Sequence, residues 1–232
     1  MSPAVSAAEP PVLVACSHGT RSATGRSVVD GLRAAVRAAR PGLEVEAAQV
    51  DVHGPFLADV VDRVCADRDA VVVPLLLSSG YHVHVDIAEA VARGGGRAVA
   101  APALGPGEVV TDVLLERLGR FEGRVVLAAA GSSDARAQAD VAEAARLLAE
   151  RLGAPVTSGF LSAQEPSVAD AVAAAGPGPV AVVSYLLAPG VFSERLARAG
   201  ATVVTEPLGV HPALVDLVLE RYDAALTTLR GS

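Results

Sequence analysis

One pattern of residues runs through the chain twice, and this repeat constrains the fold more than any other feature. The matching segments are VLVACSHGTR at 12–21 and VVLAAAGSSD at 125–134, LLLSSGYH at 75–82 and YLLAPGVF at 185–192, and DVLLER at 112–117 and DLVLER at 216–221. A repeat on this scale is typical of a duplicated structural unit. We therefore expect a flexible tail at residues 1–10, an N-terminal lobe at 11–121 and a C-terminal lobe at 122–232.

Short valine-rich runs alternate with helical patterns in both copies. Strands are predicted at 12–17, 43–50, 70–77, 97–101, 124–130, 155–160, 179–187 and 202–205. Helices are predicted at 28–39, 55–65, 84–92 and 108–120 of the first copy. This alternation is typical of a parallel sheet with helices on both faces. The predicted fold class is α/β, with two tandem doubly wound parallel-sheet lobes related by a pseudo-twofold axis and separated by a cleft.

The composition excludes several classes of function. The net charge of −7 argues against a general nucleic-acid-binding protein, which needs a basic face. No apolar run approaches the roughly 20 residues of a membrane-spanning helix, and residues 1–10 lack the features of a secretory signal. We therefore expect a cytoplasmic protein with no nucleic-acid or membrane partner.

The chain contains no lysine, so all 19 of its basic residues are arginine. Without lysine it can neither anchor pyridoxal phosphate as a Schiff base nor form a Walker A phosphate loop. The glycine runs at 94–96 and 176–178 precede predicted strands rather than helices, so they are turns and not phosphate-binding loops. The sequence predicts no use of ATP, NAD or pyridoxal phosphate.

Three side chains that can bind metal or transfer protons follow successive strands of the first copy. His18 follows the first strand, Asp51 the second and His82 the third. The carboxyl ends of parallel strands lie along one edge of a sheet, and ligands bind there. We therefore expect these three side chains to converge on one rim of the first lobe.

Each of these residues also has a purely structural interpretation. His18 and His82 could be loop histidines that bind backbone carbonyls or solvent, and Asp51 could be a turn or cap residue. His53 points the same way as Asp51 if the chain there is extended. His84 shares a His-x-His spacing with His82, which places both rings on one side only in a strand.

The second copy lacks the potential ligands of the first. The aligned pairs are His18 with Gly131, His82 with Phe192, and Asp51 with Ser162. His211 is expected to lie at the start of the last helix rather than in the cleft. We expect one metal site, on the first lobe, and a degenerate second lobe that covers the cleft.

Three motifs together resemble those of the sirohydrochlorin chelatases, the class II, ATP-independent cobaltochelatases and ferrochelatases. The motifs are Ser-His-Gly-Thr-Arg at 17–21, Gly-Tyr-His-Val-x-x-Asp-Ile at 80–87 and Leu-Gly-x-His-Pro at 208–212. The resemblance covers nearly the whole chain from residue 11 onward. It implies the long form of the family, in which two lobes are fused and the chain acts as a monomer.

This resemblance implies insertion of Fe²⁺ or Co²⁺ into sirohydrochlorin, in siroheme or cobalamin biosynthesis. It maps the two metal-holding histidines of the family onto His18 and His82. It maps an acidic catalytic residue, often glutamate in the family, onto Asp51. Neutral imidazole can both hold the metal and take up the pyrrole protons, since it binds Fe²⁺ and Co²⁺ and accepts protons near the working pH.

The expected substrate contacts surround these three residues. Arg21, with Arg26 nearby, suits bidentate binding of the macrocycle's carboxylates. The remaining expected contacts are Ser79, Gly80, Tyr81 and Phe192.

Two other functions fit the same residues. A non-catalytic carrier of metal or tetrapyrrole would use the same cleft, and a metal-dependent hydrolase would use the same rim. A histidine phosphatase would need arginine directly before His-Gly, where this chain has Ser17. Ligand type alone does not separate Fe²⁺ from Co²⁺.

Overall fold

A computed structural model describes residues 9–231 except residues 79 and 81, and gives only the backbone of residues 82–84, 230 and 231. The expectations for Ser79 and Tyr81, and for the side chains of His82 and His84, lie outside the described residues. The strands are β1 (Val12–Ser17), β2 (Val45–Gln49), β3 (Ala70–Pro74), β4 (Ala98–Ala100), β5 (Arg124–Ala129), β6 (Val156–Phe160), β7 (Val180–Tyr185) and β8 (Val203–Val204). Each falls within a predicted range.

Helices connect the strands throughout. They are α1 (Ala23–Ala39), α2 (Leu57–Val64), α3 (Ala88–Arg93), α4 (Glu108–Leu118), α5 (Ala135–Leu152), α6 (Val168–Ala174), α7 (Val191–Leu196) and α8 (Pro212–Gly231). Ser22 and Asp134 begin the two long helices α1 and α5, because their side chains accept a backbone N–H of the first turn. No helix in the described part of the chain is long and apolar enough to cross a lipid bilayer.

The strands form two four-stranded parallel sheets with the same order. In the first, β1 lies between β2 and β3, and β4 is the outer strand beyond β3. The second sheet places β5, β6, β7 and β8 in the equivalent positions. The predicted fold class, two doubly wound parallel-sheet lobes, is confirmed.

Alternate residues of β1 face different cores. Val12, Val14 and Cys16 pack in an outer core with α2 and α3, whereas Leu13 and Ala15 belong to a central core. Strand β5 divides its residues in the same way, and its inner face joins the same central core. This period of two follows from the pleat of a strand. One continuous apolar core therefore joins the two sheets.

The last helix of each half lies against the sheet of the other half. Helix α4 follows the first sheet but packs against β7 and α5, and α8 follows the second sheet but packs against β3, β4 and α1. The Tyr222 hydroxyl on α8 donates to the Pro11 carbonyl, 2.6 Å away. The division into lobes at 121 and 122 stays a prediction, and the central core spans both sides of it.

The alignment of His18 with Gly131 is wrong by one residue. Gly19 and Gly131 both have positive φ, +97° and +88°. A Cβ added to Gly19 would lie 2.2 Å from the backbone oxygen of Asp51, and a Cβ added to Gly131 would lie 1.8 Å from that of Ser162. In both halves the backbone leaves the first strand through the same turn, which only glycine tolerates. Gly19 is therefore the counterpart of Gly131, and His18 is the counterpart of Ala130.

The backbone at His82 also differs from the prediction. Residues His82–Ile87 form a π-helical segment that leads directly into α3. The loop expected at His82 is therefore a helical turn, and the predicted helix at 84–92 begins two residues earlier. The strand geometry needed for the His-x-His interpretation does not exist here.

Candidate functional site

A cleft of about 1100 Å³ lies where the carboxyl ends of the two sheets face each other. Its lining includes the strand ends Ser17 and Gln49 and the residue after β3, Leu75, from the first sheet. It also includes the strand ends Ala129 and Tyr185 from the second. Parallel sheets bind ligands at this edge. The fold thus builds one cavity from both copies of the repeat.

His18 is exposed and lines this cleft. It stands between buried β1 and the glycine turn at Gly19. Its Nδ1 lies 3.4 Å from the Gly19 carbonyl oxygen, and its own carbonyl accepts the Asp51 N–H at 3.0 Å. The end of β1 and the segment after β2 are therefore held side by side at the cleft.

Asp51 and His53 take different positions after β2. The exposed Asp51 is not among the residues that line the cleft, whereas His53 is. Between them, Val52 has a φ of +71°, a conformation that is strained for a β-branched residue. The turn at Val52 thus brings His53 to the cleft, and a catalytic role for Asp51 stays a prediction.

The loop after β3 reaches across to the second half. A Cβ on Gly80 would lie 3.1 Å from the Ala137 Cβ in α5, and Gly80 lines the cleft. Within the described residues, no three histidine, cysteine, aspartate or glutamate side chains form a group that could hold a metal ion. The metal pair of His18 and His82 stays a prediction, because the His82 side chain lies outside that part.

The first wall of the cleft is the part lined by residues 17–80, and the second wall is the part lined by residues 129–192. Two exposed arginines, Arg21 and Arg26, lie on the first wall near the start of α1. Arg26 Nη1 donates to the carbonyls of Thr20 and Arg21, at 3.2 Å and 3.0 Å. Arg21 makes no ion pair within the described residues. Both guanidinium groups therefore keep donors for an anionic ligand, as their predicted carboxylate contacts require.

A third cleft arginine, Arg33, is buried beneath this wall. Its Nη2 donates to the Ala15 and Ala48 carbonyls, both at 2.9 Å, and to Ser17 Oγ at 3.1 Å. Burial lowers the pKa of its guanidinium, while the hydrogen bond to Asp30 raises it. Arg33 thus ties the ends of β1 and β2 together directly before His18.

Sequence reasoning missed Arg33, although a signal was present. It occupies the buried face of α1, between Val29, Leu32 and Val36. An arginine among apolar residues at helical spacing predicts a buried cation with several acceptors, because an unpaired charge is costly inside a protein.

The second wall of the cleft is uncharged. Its lining residues between 129 and 192 carry no ionisable side chain apart from the hydroxyl of Tyr185. Ser132 and Gln164 supply polar groups there, and Phe192 supplies a ring face. The Arg195 guanidinium carbon lies 5.7 Å from the centroid of that ring, so it occupies one face of Phe192.

Tyr185 connects the two walls. Its buried hydroxyl donates to the Leu77 carbonyl oxygen at 2.7 Å, across the boundary between the halves. Burial raises the pKa of Tyr185, so the hydroxyl remains a neutral donor. The sequence offered no sign of this contact, which depends on how the two sheets face each other.

His211 lies at the start of α8, as expected from the sequence. Its Nδ1 accepts the Ala213 N–H at 3.2 Å. The proton of the neutral ring is therefore on Nε2, which donates to Glu116 Oε2 at 2.9 Å. His211 is not among the cleft-lining residues.

Comparisons with known proteins agree with this fold. The CbiX family model matches residues 12–120 and 124–225. No curated protein matches the chain. The chain is similar to the structure of SirB from Bacillus subtilis with Fe³⁺, with 22% identity and a TM-score of 0.81. That match covers 96% of this chain and 98% of SirB.

Two further solved structures are similar. The sirohydrochlorin chelatase SirB from Bacillus subtilis subspecies spizizenii, in complex with cobalt, has 22% identity and a TM-score of 0.80, over 96% of this chain and 97% of that one. CbiX, the terminal enzyme for biosynthesis of siroheme in denitrifying bacteria, has 21% identity and a TM-score of 0.67, over 93% and 99%. At these identities the structures establish a shared fold. Because the family model matches both halves, the chain belongs to the CbiX family.

Proposed function

We propose that this chain inserts Fe²⁺ or Co²⁺ into sirohydrochlorin without ATP, in the formation of siroheme or cobalamin. The observation that carries the proposal is the cleft itself, with arginines and imidazoles on one wall and uncharged groups on the other. Its volume of about 1100 Å³ is slightly larger than the roughly 300–1,000 Å³ of most small-molecule sites. A flat macrocycle with carboxylate side chains fits such a cleft.

Metal insertion forms bonds from the metal to the pyrrole nitrogens and breaks two pyrrole N–H bonds. The two protons leave to bases in the cleft or to water. His18 and His82 would hold the metal as neutral imidazoles, and Asp51 would assist as the acidic group at the same edge. Two or three protein ligands leave coordination positions open for the pyrrole nitrogens.

The two walls would hold the macrocycle in different ways. Arg21 and Arg26 would bind carboxylates, and Ser79, Gly80 and Tyr81 would contact the ring beside the metal. Phe192 would cover the opposite face of the ring. The lobe at 11–121 would carry the metal and the lobe at 122–232 would cover the cleft, so we propose one metal per chain and a cytoplasmic monomer.

Turnover distinguishes a chelatase from a carrier. Purified chain is mixed with an excess of sirohydrochlorin and Co²⁺ or Fe²⁺, and the macrocycle's absorbance is followed. We expect many equivalents of metallated product per chain above the rate without protein. A single equivalent would identify a carrier and contradict the proposal.

Metal stoichiometry and mass test the remaining features. Calorimetric titration with Co²⁺ should give one site per chain, and light scattering should give a monomer. Two equivalent sites, or a dimer required for turnover, would contradict the division of roles between the lobes.

A further inference from the structure

Residues 53 and 164 occupy equivalent positions in the two halves. Each follows a residue with positive φ, +71° at Val52 and +57° at Ala163, and both line the cleft. Backbone bridges close both loops in the same way, from Gln49 to Phe56 and from Phe160 to Ser167. The same point of the scaffold therefore carries histidine in one half and glutamine in the other.

In the second half the side chain at this position holds a neighbouring loop in place by a hydrogen bond. Gln164 Oε1 accepts the backbone N–H of Ser132 at 3.1 Å. Gln138 Nε2 in turn donates to the Ser132 carbonyl at 3.0 Å. The Gln164 side chain thus fixes the loop between β5 and α5, and its acceptor is already used.

In the first half the corresponding acceptor has no partner within the described part of the chain. His53 Nδ1 lies 2.9 Å from the Gly54 carbonyl oxygen. A carbonyl only accepts, so Nδ1 carries the proton, and Nε2 of the neutral ring presents a lone pair. Nε2 is buried and has no hydrogen-bond partner among the described residues.

Gln49 repeats this feature on the same wall of the cleft. Gln49 is buried, with 4% of the residue's surface exposed, and its Oε1 has no partner in the described structure. The Gln49 N–H donates to the Pro55 carbonyl at 3.0 Å, which holds it against the loop that carries His53. Unpartnered buried acceptors are uncommon in folded proteins and call for a ligand or a strain-bearing role.

The chemistry of these atoms selects the ligand. A lone pair on Nε2 and an amide oxygen both repel carboxylates, so the macrocycle's side chains do not fit here. A divalent cation satisfies both, since imidazole nitrogen is a good ligand for Fe²⁺ and Co²⁺. His53 is also joined to His18 by two backbone hydrogen bonds through Asp51, at 3.0 Å and 2.9 Å.

We propose that His53 Nε2 is a ligand of the divalent metal ion in the cleft, with the amide oxygen of Gln49 on the same wall. This inference rests on the proposed function, and it names a metal-binding residue at the end of β2 beside the expected pair. At the equivalent position of the second half, Gln164 Oε1 already accepts the Ser132 N–H, so we expect no metal ligand there.

The first experiment is a Co²⁺ titration without tetrapyrrole, followed by the visible absorption of bound cobalt. In His53→Gln, which introduces the residue found at position 164, we expect the Kd for Co²⁺ to rise at least about tenfold. Sirohydrochlorin binding to the metal-free chain, followed by fluorescence quenching, should not change. His211→Gln is the matched control and should keep wild-type Co²⁺ affinity, because His211 lies outside the cleft lining.

A second variant reports direct contact with the metal. His53→Cys with Co²⁺ should show a thiolate-to-cobalt charge-transfer band in the near ultraviolet. The wild type should lack it, since Cys16 is buried in β1 with its pKa raised to about 12 by burial and Cys65 is not a cleft-lining residue. Absence of the band, together with wild-type Co²⁺ affinity in His53→Gln, would overturn the inference.

The outcomes separate this inference from the proposed function. If the wild type is active and His53→Gln leaves its Co²⁺ affinity unchanged, His53 is not a metal ligand, but the chelatase proposal still holds. A wild type that binds Co²⁺ through His53 but never turns over would remove the chelatase and leave the metal ligand.

Discussion

The two walls of the cleft are built from the same scaffold but carry different chemistry. Both halves have a glycine turn after their first strand and a positive-φ residue after their second. The first wall presents His18, His53 and three arginines, whereas the second presents small, hydroxyl and apolar groups. Duplication has thus preserved the backbone that shapes the cleft, while the histidines and arginines of the lining are confined to one side.

The buried cation of the first half shows the same contrast. Arg33 on α1 binds the ends of β1 and β2, but the equivalent position on α5 is the buried alanine Ala145. A buried guanidinium needs several acceptors, and the first half supplies them beneath His18. A buried cation therefore stabilises the first wall beneath His18, whereas the equivalent position of the second half holds a small buried apolar side chain.

The largest expected effect is the loss of the first-wall imidazole. His18→Ala should lower turnover by at least about 100-fold, the contribution of a positioned acid–base or ligand group. The fold should survive, because His18 is exposed. Steady-state turnover and near-ultraviolet circular dichroism measure both properties.

Ser133→Ala, on the opposite wall, serves as the control for His18→Ala and should keep turnover near wild type. By the family resemblance, the same loss is expected for His82→Ala. Equal turnover in His18→Ala and Ser133→Ala would remove the functional difference between the walls.

Removal of the buried cation should have the next largest effect. Arg33→Gln leaves the Ala15 and Ala48 carbonyls without their donor. We expect the free energy of unfolding to fall by about 2–4 kcal/mol. Urea denaturation measures the change.

The matched control is Arg37→Gln, since Arg37 is exposed and its guanidinium donates only to the Val45 carbonyl among the residues that the structure describes. Its effect should be below about 1 kcal/mol. If the free energy of unfolding fell by similar amounts in the two variants, Arg33 would not stabilise the first wall more than an exposed arginine does.

The second wall is tested through the macrocycle rather than the metal. Phe192→Ala should raise KM for sirohydrochlorin about tenfold, equivalent to about 1.4 kcal/mol of lost binding. Co²⁺ affinity should stay unchanged, because this wall lacks the proposed ligands. Val191→Ala, at the neighbouring exposed position, should change KM less, and a larger effect on metal affinity than on KM would contradict the covering role.

The smallest expected effect concerns the bond between the walls. Tyr185→Phe removes the donor to the Leu77 carbonyl and should lower the free energy of unfolding by about 1 kcal/mol. Tyr222→Phe removes another bond between the halves, to Pro11, at a similar cost. Only Tyr185→Phe should also alter KM, since Tyr185 lines the cleft. The same KM in both variants would mean that the bond from Tyr185 to Leu77 has no effect on substrate binding.

The strands and the edge that carries the site could be predicted because their signals are local. Valine-rich runs of strand length and the glycine after β1 report the backbone conformation directly. The placement of His18 at the cleft followed from the rule that parallel strands end along one edge. The alignment of His18 failed by one residue, because sequence letters do not show which glycine makes the positive-φ turn.

The residues that were missed depend on distant parts of the chain. Tyr185 contacts Leu77, and α8 packs against the first sheet rather than its own. The sequence places His53 on the same side as Asp51 only if the chain is extended, whereas the turn at Val52 brings His53 to the cleft and Asp51 does not line it. Such contacts join segments far apart in the chain, so no local periodicity encodes them.

The duplicated α/β plan, the order of its strands along the chain and the placement of four of the five histidines in the first half can all be read from the sequence. These properties follow from hydrophobic period, glycine position and residue type, which act over a few residues. Other features appear only in the folded chain: the last helices cross between the halves, and one core joins both sheets. Gln164 Oε1 also accepts a backbone N–H, whereas His53 Nε2 has no partner among the described residues. Burial and hydrogen-bond satisfaction depend on every neighbour in space, and here those neighbours come from both copies of the repeat, so no local pattern encodes them.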